Sequence, residues 1–324
     1  MNNDPILIVA GEPNSIFSEI LVKSFKHYNK QRPIILFISK RLLVEQLNKI
    51  NLKLQLHFIK SKNKQILKLS KKKLNIIDVN YKFNKPFEKP SSKSNKYIEE
   101  CFDKAINLAK TMSIAGLING PINKNYFLKD KFFGITEYLS KKLKIKKNKF
   151  AMLIYNKNLS VSPVTTHLPI KFVAKNINKK LIEDKVILIH KFYKNFFSIS
   201  PKIAITGLNP HCENFLSKSE EESMITPTIK RLIKKKIKVE GPFSADTIFI
   251  KEQLKKFDSV VGMYHDQVLT PIKAIYGFDA INITLGLPFL RISPDHGPNL
   301  KMIGKNKSDH KSLLLALNFL SKLK

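Results

Sequence analysis

Short unbroken apolar runs alternate along this chain with stretches in which apolar residues recur every three or four positions. Ile6 to Ala10 is such a run, ended by Gly11, Glu12 and Pro13, and Ile16, Ile20, Leu21 and Phe25 then fall at helical spacing. Pro33 to Ile38 repeats the buried-strand pattern, and a helix is expected around Leu42 to Ile50. Residues 84–95, with two prolines and three serines, read as a loop. Ile98, Cys101, Phe102, Ala105, Ile106 and Ala109 trace one face of a helix over Tyr97 to Lys110, which leads into a strand at Ile114 to Ile118. Further strands are predicted at Leu159 to Thr165, Lys202 to Thr206, Ser259 to Met263 and Ala280 to Ile283. Further helices are predicted over residues 170–197, 220–236 and 310–322.

Strands alternating with helices over this length predict an α/β fold with a mostly parallel sheet covered on both faces. The 324 residues leave room for about two domains. In such folds ligands collect where the carboxyl ends of the strands open into loops, so candidate chemistry is sought there.

Composition changes this picture in three places. Lys plus Arg number 58 against 25 Asp plus Glu, a net charge of +33. A strongly basic chain raises the question of nucleic acid, but the lysines are scattered from end to end among Asn and Ile, a distribution of solvated faces. Attraction of small phosphorylated or carboxylated substrates follows from the same field. Two cysteines, Cys101 and Cys212, make no disulfide framework or metal finger, which points to a reducing, cytoplasmic setting. The first residues lack the pattern of a secretory signal, and no apolar run approaches the ~18 residues of a membrane span.

Three histidines share one address. His167 follows Val164-Thr165-Thr166, His211 follows Leu208-Asn209-Pro210, and His265 follows Val260 to Tyr264, each just past the carboxyl end of a predicted strand. Three neutral imidazoles can hold a divalent ion and leave a position open for substrate. The spacings form no local motif, and a single histidine is more often a hydrogen-bonded structural residue. Asp246 and Asp266 could orient the imidazoles or cap helices. Lys273, Asn282 and Arg291 offer a cation, an amide and a guanidinium for a phosphate and a carboxylate, although so basic a chain supplies such trios by chance. No Gly-x-Gly-x-x-Gly, Walker-type or Gly-x-Ser-x-Gly motif is present, so neither a Rossmann nucleotide site nor a serine hydrolase is argued from motifs.

Eight collinear segments resemble the 4-hydroxythreonine-4-phosphate dehydrogenase (PdxA) family. They are GEPNSIFSEI at 11–20, GLINGPINK at 116–124, GITEYL at 134–139, VTTHLP at 164–169, GLNPH at 207–211, GPFSADT at 241–247, MYHDQVLTPIK at 263–273 and GFDAINITLGLPFLRISPDHG at 277–297. The resemblance implies two α/β/α domains around a central cleft, as in isocitrate and isopropylmalate dehydrogenases. The first is expected over 1–125 plus 298–324, the second over 126–297. It implies a homodimer whose metal site, His167, His211 and His265, is shared across the interface, holding Zn, Mg, Co or Mn. It places substrate contacts on Thr136, Lys273, Asn282 and Arg291. A cofactor loop for NAD or NADP falls at His296 and Gly297.

The implied reaction oxidises 4-phosphooxy-L-threonine at its third carbon and decarboxylates the product to 3-amino-2-oxopropyl phosphate, in pyridoxal phosphate biosynthesis. Lys273 is the candidate for proton transfer, with Asp246 and Asp266 beside the metal ligands. The sequence departs from the family at Ile135, where the resemblance implies a substrate-contacting histidine, at Asn14, Ser15 and Phe17, and at Pro298, Asn299 and Lys301. Ile135 keeps open a related dehydrogenase of threonate or erythronate 4-phosphate. The net charge keeps open a non-catalytic polyanion-binding protein.

Overall fold

A computed structural model of the chain describes residues 3–59, 68–129, 131–132, 134–212, 219–277, 279–294 and 297–323. It divides into two compact units: unit 1 comprises residues 1–132 and 289–324, and unit 2 residues 133–288. The expected boundaries, after 125 and after 297, fall seven residues before and nine residues after these limits.

Unit 1 begins with β1 (Ile6–Val9), α1 (Phe17–His27), β2 (Ile34–Ile38) and α2 (Lys40–Lys49). The four residues of β1 are completely buried, as a strand covered on both faces requires. Gly11 ends β1 with φ +78°, and a Cβ there would lie 2.3 Å from the Pro121 carbonyl oxygen, so only glycine fits this turn. Ser39 caps α2 by accepting from the Leu42 N–H. There follow β3 (Leu56–Phe58), β4 (Leu74–Asp78), α3 (Asn95–Thr111) and β5 (Gly116–Asn119). Neither β3 nor β4 is among the predicted strands. Asn75 interrupts the apolar run of β4, yet it is fully buried, donating to the carbonyls of Ile34 and Ser70 and accepting from the Ser70 N–H, each at 2.8 Å.

Unit 2 opens with α4 (Ile135–Lys142), then β6 (Ala151–Tyr155), β7 (Ser160–Pro163), the single turn α5 (Val173–Asn176) and α6 (Lys179–Phe197). The helix predicted over 170–197 is broken at Ile177, because Asn178 turns out of helical geometry and its side chain caps α6 through the Leu181 N–H. After β8 (Ile203–Thr206), a π-type turn at Glu221–Ile225 leads into α7 (Thr226–Lys234). Then come β9 (Val239–Phe243), the short α8 (Lys251–Leu254), β10 (Ser259–Gly262), α9 (His265–Tyr276) and β11 (Ile281–Leu285). The strand order is β11-β6-β7-β10-β8-β9. From β7 to β9 the pairings are parallel, whereas β6 is antiparallel to both β7 and β11.

The chain returns to unit 1 with β12 (Arg291–Ser293) and α10 (Lys311–Lys322). Arg291 pairs with Leu117 and Ile292 with Ile118 in parallel, which places Arg291 in unit 1. The order there is β3-β4-β2-β1-β5-β12. Among the described residues no helix is long and apolar enough to cross a membrane.

Candidate active site

The three candidate histidines are delivered by three neighbouring parallel strands of unit 2. His167 follows β7, His265 opens α9 directly after β10, and His211 follows β8, with β10 lying between β7 and β8. Strands buried on both faces fix their own ends: Pro163 stands opposite Gly262, and Val161 and Val260 are fully buried. Beyond the strands the two loops remain stitched together, with the Thr165 N–H and hydroxyl both donating to the Met263 carbonyl, at 3.1 and 2.8 Å. The rings of His167 and His265 consequently face each other, with centroids 5.8 Å apart and planes inclined at 39°.

Each of the three imidazoles turns its Nδ1 toward a carboxylate. His265 Nδ1 lies 2.6 Å from Asp266 Oδ1, His167 Nδ1 3.6 Å from Glu137 Oε1, and His211 Nδ1 3.7 Å from Asp246 Oδ2. A carboxylate at Nδ1 favours the proton there and leaves Nε2 as the ligating nitrogen. Burial opposes ionisation of Glu137, but the His167 ring and the Thr166 hydroxyl outweigh it and hold the carboxyl below its ordinary range. Asp246 is likewise held low, first by the Ser244 hydroxyl at 2.5 Å and then by His211.

His211 and Cys212 are consecutive residues in the left-handed region, at φ +56° and +57°. Their loop is held from below by Glu221, whose Oε1 accepts from the N–H groups of Leu208 and Asn209 at 2.7 and 2.8 Å. Among the described residues, no group of three or more His, Cys, Asp or Glu side chains is gathered closely enough to hold a metal ion. His167 and His265 approach as a pair, and His211 is not gathered with them into such a group. The donor chemistry, three imidazoles each backed by a carboxylate, fits a divalent ion.

The substrate candidates fall in both units. In unit 2, Thr136 lies in the first turn of α4, its hydroxyl 3.1 Å from that of Thr284. Asn282 and Thr284 lie on the same face of β11, and the buried Oδ1 of Asn282 has no hydrogen-bond partner among the described residues. A buried acceptor of this kind is open to a donor from a bound ligand. Lys273 lies on α9 seven residues past Asp266, on the same helical face. Ile135 is buried, with 8% of its surface exposed. In unit 1, Arg291 is buried and its Nε donates to Asn119 Oδ1 at 2.8 Å. Gly297 is exposed, and a Cβ there would meet nothing within 4 Å. That open space fits the close approach of a cofactor without selecting one. His296 lies outside the described residues.

Sequence reasoning did not single out Glu137, Glu221 or Gln267. The first two act through contacts between segments distant in sequence, and no spacing rule marks them. Gln267 offered a weak signal as a polar residue in the first turn of a helix that follows a buried strand.

The family model described as "Pyridoxal phosphate biosynthetic protein PdxA" matches residues 29–320. A 4-hydroxythreonine-4-phosphate dehydrogenase of Sulfurihydrogenibium sp. is 36% identical over 324 residues, covering 98% of each chain. A protein of Oceanobacillus iheyensis, provisionally named a D-threonate 4-phosphate dehydrogenase, is 34% identical over 329 residues, covering 98% of this chain and 97% of its own. Among solved structures, the 4-hydroxythreonine-4-phosphate dehydrogenase of Klebsiella pneumoniae superposes with a TM-score of 0.83 at 27% identity, covering 98% of both chains. With the family model spanning most of its length and full-length relatives above 30% identity, the chain belongs to the PdxA family.

Proposed function

We propose that this chain is a metal- and NAD-dependent 4-hydroxythreonine-4-phosphate dehydrogenase that oxidises and decarboxylates 4-phosphooxy-L-threonine to 3-amino-2-oxopropyl phosphate in pyridoxal phosphate biosynthesis. The observation that carries the reading is the arrangement of His167, His265 and His211 at the ends of adjacent parallel strands, each with a carboxylate at Nδ1. Membership of the family supplies the reaction class.

His167, His211 and His265 would hold the metal, in a homodimer that shares the site across its interface. When bound, a divalent ion supplies Lewis-acid stabilisation of negative charge on the substrate oxygen, and NAD supplies the hydride acceptor. Asp266, Glu137 and Asp246 lie at the three Nδ1 atoms and would turn the rings so that each Nε2 faces the ion. Lys273 holds or relays the proton of the reacting hydroxyl through its Nζ. Thr136 and Asn282 orient the substrate by hydrogen bonds, and Arg291 binds an anionic group through its guanidinium. Gly297, with His296, belongs to the loop that receives the cofactor. Both described cysteines are free thiols, in keeping with a cytoplasmic enzyme.

A second reading, oxidation of a threonate or erythronate 4-phosphate, is favoured by Ile135 and by the likeness to the Oceanobacillus protein. NADH formation by purified protein with each substrate, with and without chelator, separates the two. Turnover of 4-phosphooxy-L-threonine that disappears with chelator supports the first reading. Turnover of the sugar acid alone overturns it in favour of the second, and turnover unaffected by chelator overturns the metal assignment.

A further inference from the structure

Gln267 joins the exits of two strands. Its side chain is buried in the first turn of α9, with 8% of its surface exposed. Its Oε1 accepts from the Met263 N–H at 2.6 Å and from the Thr206 hydroxyl at 2.8 Å, while its Nε2 donates to the Gly207 carbonyl at 2.8 Å. Met263 leaves β10 two residues before His265, and Gly207 leaves β8 four residues before His211. One amide therefore ties together the two segments that carry these histidines.

The surrounding backbone is shaped for it. A Cβ on Gly262 would lie 3.0 Å from Gln267 Oε1 and 2.4 Å from a Val268 methyl carbon, so glycine at the end of β10 makes room for the first turn of α9. A Cβ on Gly207 would lie 2.6 Å from Cys212 Sγ and 2.9 Å from Glu221 Oε1. The partner set also selects glutamine: one oxygen faces two donors and the nitrogen faces a carbonyl, which an ionised carboxylate could not serve.

We infer that Gln267 is a positioning residue that fixes the placement of the segments leading to His265 and His211, and through it the affinity of the metal sites to which these histidines contribute. This rests on the proposed metal reading. Supporting groups behind metal ligands alter affinity by about 10- to 100-fold when removed. Such a role differs from general stabilisation, because it moves the geometry felt by the ion.

The test is calorimetric and spectroscopic titration of chelator-treated full-length protein with Co²⁺, with thermal unfolding recorded in parallel. Gln267→Met is expected to lower Co²⁺ affinity by about 10- to 100-fold and to change the visible absorption of the bound ion. Gln267→Glu keeps both accepted bonds and loses the donated one, so its effect is expected to be intermediate. Ser24→Ala removes a hydrogen bond to the His310 carbonyl in unit 1, outside the strands that carry the histidines, and is expected to leave the spectrum unchanged even if it lowers the melting temperature. Wild-type affinity and an unchanged spectrum in Gln267→Met overturn the inference. If that variant does not fold, the same result in Gln267→Glu overturns it. A wild-type protein that binds no Co²⁺, or a His265→Ala variant that binds it undiminished, overturns the metal reading itself and the inference with it.

Discussion

The imidazoles of His167 and His265 face each other across 5.8 Å, although each is carried by a different strand of a parallel pair. Their approach is a product of register. Pro163 stands opposite Gly262, and the two loops stay hydrogen-bonded beyond those residues, so displacing one strand by a residue would separate the rings. Of the three imidazoles, His265 has the closest carboxylate, Asp266. The variant Asp266→Ala is expected to lower metal affinity by about 10- to 100-fold with little loss of stability, because Asp266 is exposed. Calorimetric metal titration checks this, and unchanged affinity would show that the contact does not orient the ring.

Glu12 should make stability depend on pH. It is almost fully buried behind β1, hydrogen-bonded to the Asn14 N–H and the Ser94 hydroxyl, and burial pushes its pKa from 4.5 to about 7. Between these values the unfolded chain ionises Glu12 while the folded chain keeps it protonated, so this group's contribution to stability falls as pH rises from 4.5 to 7. The full loss is about 3 kcal/mol. Relative to wild type, Glu12→Gln should therefore gain stability progressively over that window. Urea unfolding of both proteins at several pH values measures the difference, and a difference independent of pH would contradict the prediction.

Asn75 tests whether a polar residue can be part of a core. Replacing it with alanine strands the Ile34 carbonyl in a buried strand and leaves the carbonyl and N–H of Ser70, in the loop before β4, without their partner. A loss of about 3 kcal/mol is expected, visible as a lower denaturant midpoint. A loss below about 0.5 kcal/mol would mean that water replaces the amide without penalty.

Two glycines should respond in opposite ways. Gly11→Ala places a methyl group against the Pro121 carbonyl at φ +78°, and a loss of about 2 kcal/mol or more is expected in thermal unfolding. Gly297→Ala meets open space, so stability should stay within about 0.5 kcal/mol. If NAD approaches this residue, the same variant should raise the KM for NAD while leaving the melting temperature in place. An unchanged KM would remove Gly297 from the cofactor loop.

The strands β1, β2, β5, β7, β8, β10 and β11 were legible as apolar runs, and α3 as an amphipathic stripe, whereas β3, β9 and β12 carry no such run. The histidine positions followed, since an address just past a strand is readable once the strand is. β4 was hidden by Asn75, whose partners lie in another strand and a loop. β6 is an apolar run that periodicity alone does not distinguish from a buried helical turn, and its antiparallel pairing depends on contacts with β7 and β11. The break before α6 was invisible because Asn178 resembles any polar position on a helix until its side chain is seen to cap the next one. Glu137, Glu221 and Gln267 have roles that exist only after distant segments meet.

Unit 1 is discontinuous, and this sets an order on its birth at the ribosome. Its sheet receives β12 beside β5, and α10 packs on α1, only after all of unit 2 has been synthesised. At about 5 to 20 residues per second, the nascent chain spends on the order of ten seconds with the flank of β5 uncovered while unit 2, an uninterrupted segment, is completed. The stretch that closes unit 1 thus emerges only after unit 2 has been completed.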